Sequence, residues 1–219
     1  VESGTPVTAA QAESVQDKLN YSGGDYDIAD NAANIISAGD HVLNVTGVDV
    51  VTVNDAVTGS KVTANDGAIL AGFTADVEFD VADNVGALKA EMSKADPASY
   101  LTEANSITVD NDGNGDRVVN ASDGAILAGF TADVSFDVVD DANAVAAEVT
   151  GIGNTLDDLD EAADVVVSGG DVSTAEAAAI QQISEYKASP SDYEITDNAA
   201  AVISACLLYT SPSPRDTIR

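Results

Sequence analysis

Apolar and polar positions alternate with period two in "VEFDV" at 77–81 and in "VSFDV" at 134–138. Both stretches are rich in β-forming residues, and such alternation predicts strands with one buried face. Each runs into an aspartate and then into an alanine-rich segment whose apolar residues recur every three or four positions. That spacing predicts a helix, as at Ala32, Ile35 and Ile36.

The same phrase occurs four times: "YDIADNAANIISA" from Tyr26, "FDVADNVGALKAEM" from Phe79, "FDVVDDANAVAAEV" from Phe136 and "YEITDNAAAVISA" from Tyr193. Its aspartates, Asp30, Asp83, Asp140 and Asp197, stand 53, 57 and 57 residues apart. An aspartate between strand and helix predicts an N-cap accepting the helix's orphan backbone N–H groups. A ladder of metal-binding aspartates is the functional alternative. Tyr26 and Tyr193 align with Phe79 and Phe136, which predicts packing rather than a ligand platform.

A second phrase lies between these anchors: "VTAAQAESV" from Val7, "VTANDGAIL" from Val62, "VNASDGAIL" from Val119 and "VSTAEAAAI" from Val172. The β-branched runs "VDVVTV" at 48, "SITV" at 106 and "DVVV" at 164 precede the last three. Each full unit therefore reads strand, turn, short helix, strand, short helix. Repetition at a near-fixed period predicts a stacked array. The expected fold is α/β: a repeat solenoid of strand–helix units, with a parallel sheet on one side, helices on the other and right-handed crossovers. Tandem small α/β domains are the alternative.

The expected divisions are a partial repeat over 1–45, a second repeat over 46–103, a third over 104–161 and a fourth, truncated, over 162–205. Surface loops are expected at "KADPASYLTEA" from 94 and "GIGNTLDDLDEA" from 151. The stretch "CLLYTSPSPRD", Cys206 to Asp216, resembles a sequencing-library adaptor translated in frame. Residues 206–219 are therefore expected to be a non-native, adaptor-derived tail and are excluded from fold reasoning. With a first residue of valine, the sequence is expected to be a piece of a longer protein.

Composition narrows the chemistry. The 219 residues hold 38 acidic and 8 basic side chains, a net charge of −30, and 28 of the acids are aspartate. Such a charge repels nucleic-acid and anionic-lipid phosphates alike, so neither partner is expected. It attracts cations. With 45% hydrophobic residues in regular patterns, the acidity does not imply disorder. No apolar run reaches the ~20 residues of a membrane span, so membrane insertion is not expected. The single cysteine lies in the tail, so disulfide, thiolate-metal and thiol-nucleophile chemistry are not expected. His41 is the only histidine and reads as a loop residue after a helix. No phosphate-binding or dinucleotide glycine motif is present. Nothing singles out one acidic pair among so many. The chain is not expected to be an enzyme.

One loop carries distinct chemistry. In "DGNGDRVVNASD", 112–123, oxygen-bearing side chains fall at the first, third, fifth, ninth and twelfth places: Asp112, Asn114, Asp116, Asn120 and Asp123. Val118 holds the seventh, where a backbone carbonyl suffices. This is the ligand spacing of a twelve-residue calcium loop, with the twelfth residue opening a helix, here "GAILAGF". A frame beginning at Asp110 puts Gly115 at the sixth place, but leaves Arg117 and Ala121 at the eighth and twelfth. The frame from Asp112 is preferred. Its twin segment in the second repeat, "DAVTGSKVTAN", keeps few of these oxygens.

The loop resembles the calcium loops of dockerin-type repeats, which read D-x-N-x-D-G-x-V-N-x-x-D. Val119 matches the hydrophobic place, and Arg117 departs from the family's glycine. The strand–aspartate–alanine phrase resembles repeats of large bacterial adhesin-like and hemolysin-type calcium-binding proteins. These resemblances imply a structural or adhesive segment of a secreted or cell-surface protein, stabilised by Ca2+. Cell-surface or polysaccharide ligands would be bound by the full-length protein. The alternative is a non-catalytic module of an extracellular polysaccharide-degrading enzyme.

Overall fold

The computed structural model describes residues 5–16, 25–44, 47–56, 59–92, 94, 103–129, 134–150, 159 and 161–210. The chain divides into two compact units, the first comprising 1–117 with 130–135 and the second 118–129 with 136–219. Both are α/β, and every pairing between their strands is parallel. The expected loops at 94–104 and 151–162 fall mostly outside the described residues.

In the first unit, β1 (Tyr26–Asp30), β2 (Val48–Val53) and β4 (Val77–Glu78) form one sheet in that order. A second sheet runs β3 (Lys61–Val62), β5 (Asp80–Asp83), β6 (Ser106–Val109) and β8 (Val134–Ser135). The helices are α1 (Ala9–Gln16), α2 (Ala32–Ala38), α3 (Asp40–Leu43), α4 (Ala64–Ala71) and α5 (Val85–Met92). In the second unit one sheet runs β7 (Val118–Val119), β9 (Asp137–Asp140), β10 (Asp164–Val172) and β11 (Asp192–Ile195). Its helices are α6 (Ala121–Ala128), α7 (Ala142–Thr150), α8 (Thr174–Ile180) and α9 (Ala199–Thr210). His41 lies in the short α3 rather than in a loop, and α9 extends into the expected tail.

The single parallel sheet expected from the repeats is divided into three. The division falls at an aromatic residue. In 77–83, Val77 and Glu78 pair with Val51 and Thr52 of β2, while Asp80–Asp83 pair with β6. Phe79 sits at the change of partner. In 134–140 the change falls at Phe136 in the same way. Period-two alternation runs through the break: Val77, Phe79 and Val81 are buried, as are Val134, Phe136 and Val138. Each stretch thus reads as one strand in sequence and serves two sheets.

The pairings recur in register. Val7, Ile28, Val51 and Val77 pair in succession across the first sheet. Val62, Val81, Ile107 and Val134 do so across the second, and Val119, Val138, Val165 and Tyr186 across the third. All but Val7 and Tyr186 are buried, and they form the apolar floor of each sheet. Leu70 and Leu88 lie buried in the first unit, as do Leu127, Val145, Leu159 and Ile180 in the second.

The anchoring aspartates do something other than cap the helix that follows. The following helices are capped by the next residue along. Asn31 accepts from Asn34 N–H, Asn84 from Ala87, Asp141 from Ala144 and Asn198 from Ala201. Each anchoring carboxylate instead accepts two backbone N–H groups of different origin. Oδ1 takes the N–H of the next residue, at 2.7–2.8 Å in all four cases. Oδ2 takes the first-turn N–H of the helix before its own strand: Ala9 to Asp30 at 3.1 Å, Ala64 to Asp83 at 3.0 Å, Ala121 to Asp140 at 2.9 Å and Thr174 to Asp197 at 3.2 Å. Those earlier helices carry their own N-caps, for example Thr63, Asn120 and Ser173. A full negative charge against a helix N-terminus adds dipole attraction to the hydrogen bond. The aspartate therefore clamps the preceding helix to the strand end, and both its oxygens are engaged by backbone.

Asparagine is isosteric but offers one acceptor oxygen, so one N–H would meet an Nδ2 donor. Asp140→Asn is expected to lose about 2 kcal/mol, the range for a hydrogen bond to a charged group. Urea unfolding followed by circular dichroism reads this directly, and a loss below about 0.5 kcal/mol would remove the clamp from the account.

Candidate metal-binding loop

The residues singled out for calcium fall in two groups. Asp112, Asn114 and Asp116 belong to the first unit, Val118, Asn120 and Asp123 to the second.

The first group forms one exposed turn between β6 and the start of β7. Asp112 Oδ1 accepts the backbone N–H of Asn114 at 2.8 Å and that of Asp116 at 3.2 Å. Asn114 Nδ2 donates to the Asp112 carbonyl at 3.1 Å. The N–H of Asn111 donates to the Asp116 carbonyl at 2.8 Å and closes the turn. The N–H donors of Asn114 and Asp116 hold the Asp112 carboxyl below its ordinary value of 3.8. A lowered native value contributes stability above the unfolded pKa, and that contribution fades as pH falls through the native one. Asp112 therefore keeps its charge into mild acid.

Arg117, the departure from the dockerin-like pattern, does not occupy the sharp bend. The bends fall at Gly113, φ +74°, and Gly115, φ +94°, both in the region only glycine enters freely. Gly115 N–H donates to Asp110 Oδ1 at 2.9 Å. Gly115 is the sixth residue counted from Asp110, so the turn geometry follows the earlier frame. In that frame Asp110, Asp112 and Asn114 hold the first, third and fifth places and the Asp116 carbonyl the seventh. Asp110 is the residue that the preferred sequence frame left out. The available signal was the glycine at the sixth place, outweighed by the oxygens at 120 and 123. Arg117 itself donates from Nη1 to Ser135 Oγ at 2.9 Å.

In the second unit, Val118 lies in β7 with its side chain exposed, and Val119 is buried beside it. Asn120 is the N-cap of α6, its Oδ1 accepting from Asp123 N–H at 2.8 Å. Asn120 Nδ2 donates to Asp123 Oδ2 at 3.1 Å. These two residues make a reciprocal cap, so their sequence positions are accounted for by helix initiation. Among the described residues no three His, Cys, Asp or Glu side chains converge as a metal cluster, a criterion that leaves asparagine and carbonyl oxygens uncounted.

The three connections leading into the second phrase are structurally equivalent and locally different. In the second repeat Asp55 and Gly59 are bonded to each other through their backbones. Residues 110–117 form the acidic turn. Residues 168–171, "SGGD", form a bulge inside β10 with Gly169 and Gly170 at φ +81° and +96°. The acidic loop is thus one of three solutions to one connection. His41 lines a shallow surface groove of the first unit together with Glu13, Asn34 and Ser37. Among the described residues no helix is long and apolar enough to cross a membrane.

Comparison with protein-family models, with curated proteins and with solved structures finds no match to this chain.

Proposed function

We propose that this chain is a structural or adhesive repeat segment of a large secreted or cell-surface bacterial protein. Its strand–helix units follow one another as a solenoid, and Ca2+ stiffens the loop of the third repeat. The observation that carries the reading is the fourfold recurrence of one strand register together with one aspartate clamp. Shared segments support continuity: 77–83 and 134–140 each end one sheet and begin the next, so consecutive repeats have no linker between them. Repeats that share strands suit a load-bearing stalk better than a string of independent modules.

Calcium enters through the turn. Asp110, Asp112, Asn114 and the Asp116 carbonyl supply hard oxygen donors on a turn of glycine-set shape. Calcium accepts such flexible, carboxylate-rich sets, whereas magnesium demands tighter octahedral geometry.

Titrating Ca2+ to about a hundredfold above its dissociation constant is expected to raise the melting temperature by about 5–10 °C. Magnesium at the same concentration is expected to do much less. Asp110→Ala with Asp112→Ala is expected to abolish the shift and the accompanying resistance to protease. Equal melting curves with and without calcium would remove the ion from this proposal and leave the repeat reading standing.

A further inference from the structure

Among the described residues, the fourth repeat holds the first two positions of a sheet and not the third. Its first two positions match those of the other three: Val172 pairs in parallel with Ile195, as Val62 does with Val81 and Val119 with Val138. The aspartate clamp is present too, from Thr174 to Asp197. In the other sheets a third strand then lies on the far side of the aspartate strand: Val51 on Ile28, Ile107 on Val81 and Val165 on Val138. Among the described residues nothing pairs with the far side of Ile195. Its exposure is 50%, against 0% for Ile28, 1% for Val81 and 0% for Val138. On α9, Val202 is half-buried, whereas the equivalent Ile35, Leu88 and Val145 are all at 0%, and Ile203 is 59% exposed. An open parallel edge beside exposed isoleucines is a template for another strand.

We infer that the free edge of β11, with the apolar face of Ile195, Val202 and Ile203, is the docking surface for one further repeat of this same unit. The incoming strand is β-branched and alternating, of the kind seen at 48–53, 106–109 and 164–167. It lies parallel to β11, with an apolar residue opposite Ile195. The repeat pattern dictates the occupant, because three of four equivalent edges are covered by that element. This inference rests on the repeat reading proposed above and is independent of calcium and of cellular location.

The test extends the chain with its own sequence. Ala205 holds the place in the fourth repeat that Ala38 holds in the first, so residues after Ala205 are replaced by a copy of Gly39–Glu78. Tyr26 N–H donates to the Gly47 carbonyl at 2.8 Å, so the equivalent amide of Tyr193, and that of Ile195, should gain acceptors. Hydrogen exchange at these two amides is expected to slow at least about tenfold in the extended protein. Ile195→Lys is expected to leave the melting temperature of the original chain unchanged and to lower that of the extended one. Three outcomes would overturn the inference. One is an added segment that folds without slowing those amides, or that stays unstructured. Another is an original chain already destabilised by Ile195→Lys as severely as by Val138→Lys. The third is light scattering that finds the original chain dimeric with those amides protected, which would give the edge to a second copy.

Discussion

Phe136→Ala is expected to lower stability by about 3–5 kcal/mol, the largest effect of any single truncation here. Phe136 is fully buried, and so is its counterpart Phe79. Each ring occupies the point where one stretch changes sheets, and the backbone there is engaged as well. The Phe136 carbonyl accepts Ala163 N–H at 2.8 Å, and the Phe79 carbonyl accepts Asn105 N–H at 2.9 Å. Removing the ring leaves a cavity that backbone bonded to its neighbours closes only in part, so the cavity cost adds to the transfer cost. Because each phenylalanine belongs to a different unit, hydrogen exchange separates their effects. Phe136→Ala should raise exchange first around Val138, Val145 and Val165, and Phe79→Ala around Val81, Leu88 and Ile107. A loss under about 1 kcal/mol for Phe136→Ala would mean that the site collapses freely and that the change of sheet needs no aromatic wedge.

That wedge shows how far the sequence could be read. The alternation in "VEFDV" and "VSFDV" gave the strand and its buried face correctly, since both depend only on neighbours two residues apart. Which strand lies alongside is a non-local matter, and the alternation continues unbroken across the change of partner. The division into three sheets was therefore invisible in these residues. The two-residue strands β3 and β7 were invisible for a related reason, because two residues carry no period. The anchoring aspartates were legible as helix-terminal residues. Their actual partner, a helix 19 to 23 residues earlier, is again non-local. The doublets "DN" and "DD" did hold the division of labour, the first residue clamping and the second capping. In the acidic loop, counting oxygens favoured a frame from Asp112. The conformation of Gly115 and its bond to Asp110 follow the frame from Asp110. Helix capping places oxygens at 120 and 123 for its own reasons, and spacing alone cannot tell a cap from a ligand.

The repeated "DGAIL" leads to the second large effect. Gly124 lies inside α6, where alanine would ordinarily gain roughly 1 kcal/mol of helix propensity. Here a Cβ would stand 2.8 Å from Val138 Cγ2, 3.3 Å from Phe136 Cε2 and 3.4 Å from Leu159 Cδ2. Gly67 in α4 meets Val81 and Phe79 in the same way, at 2.8 and 3.2 Å. The helix thus packs its backbone directly onto the strand, and no methyl fits between. Overpacking of this kind costs about 1–3 kcal/mol, which exceeds the propensity gain. Gly124→Ala is expected to destabilise by about 1 kcal/mol and Gly124→Val by about 3 kcal/mol, since valine adds two methyl groups on a stiff χ1. The double variant Gly124→Ala with Val138→Ala makes room for the new methyl, so its loss should fall short of the sum of the two single losses. Chemical denaturation of the four proteins measures that coupling. A Gly124→Ala protein more stable than the parent would place propensity above packing at this position and remove close backbone approach as the reason both repeats keep glycine there.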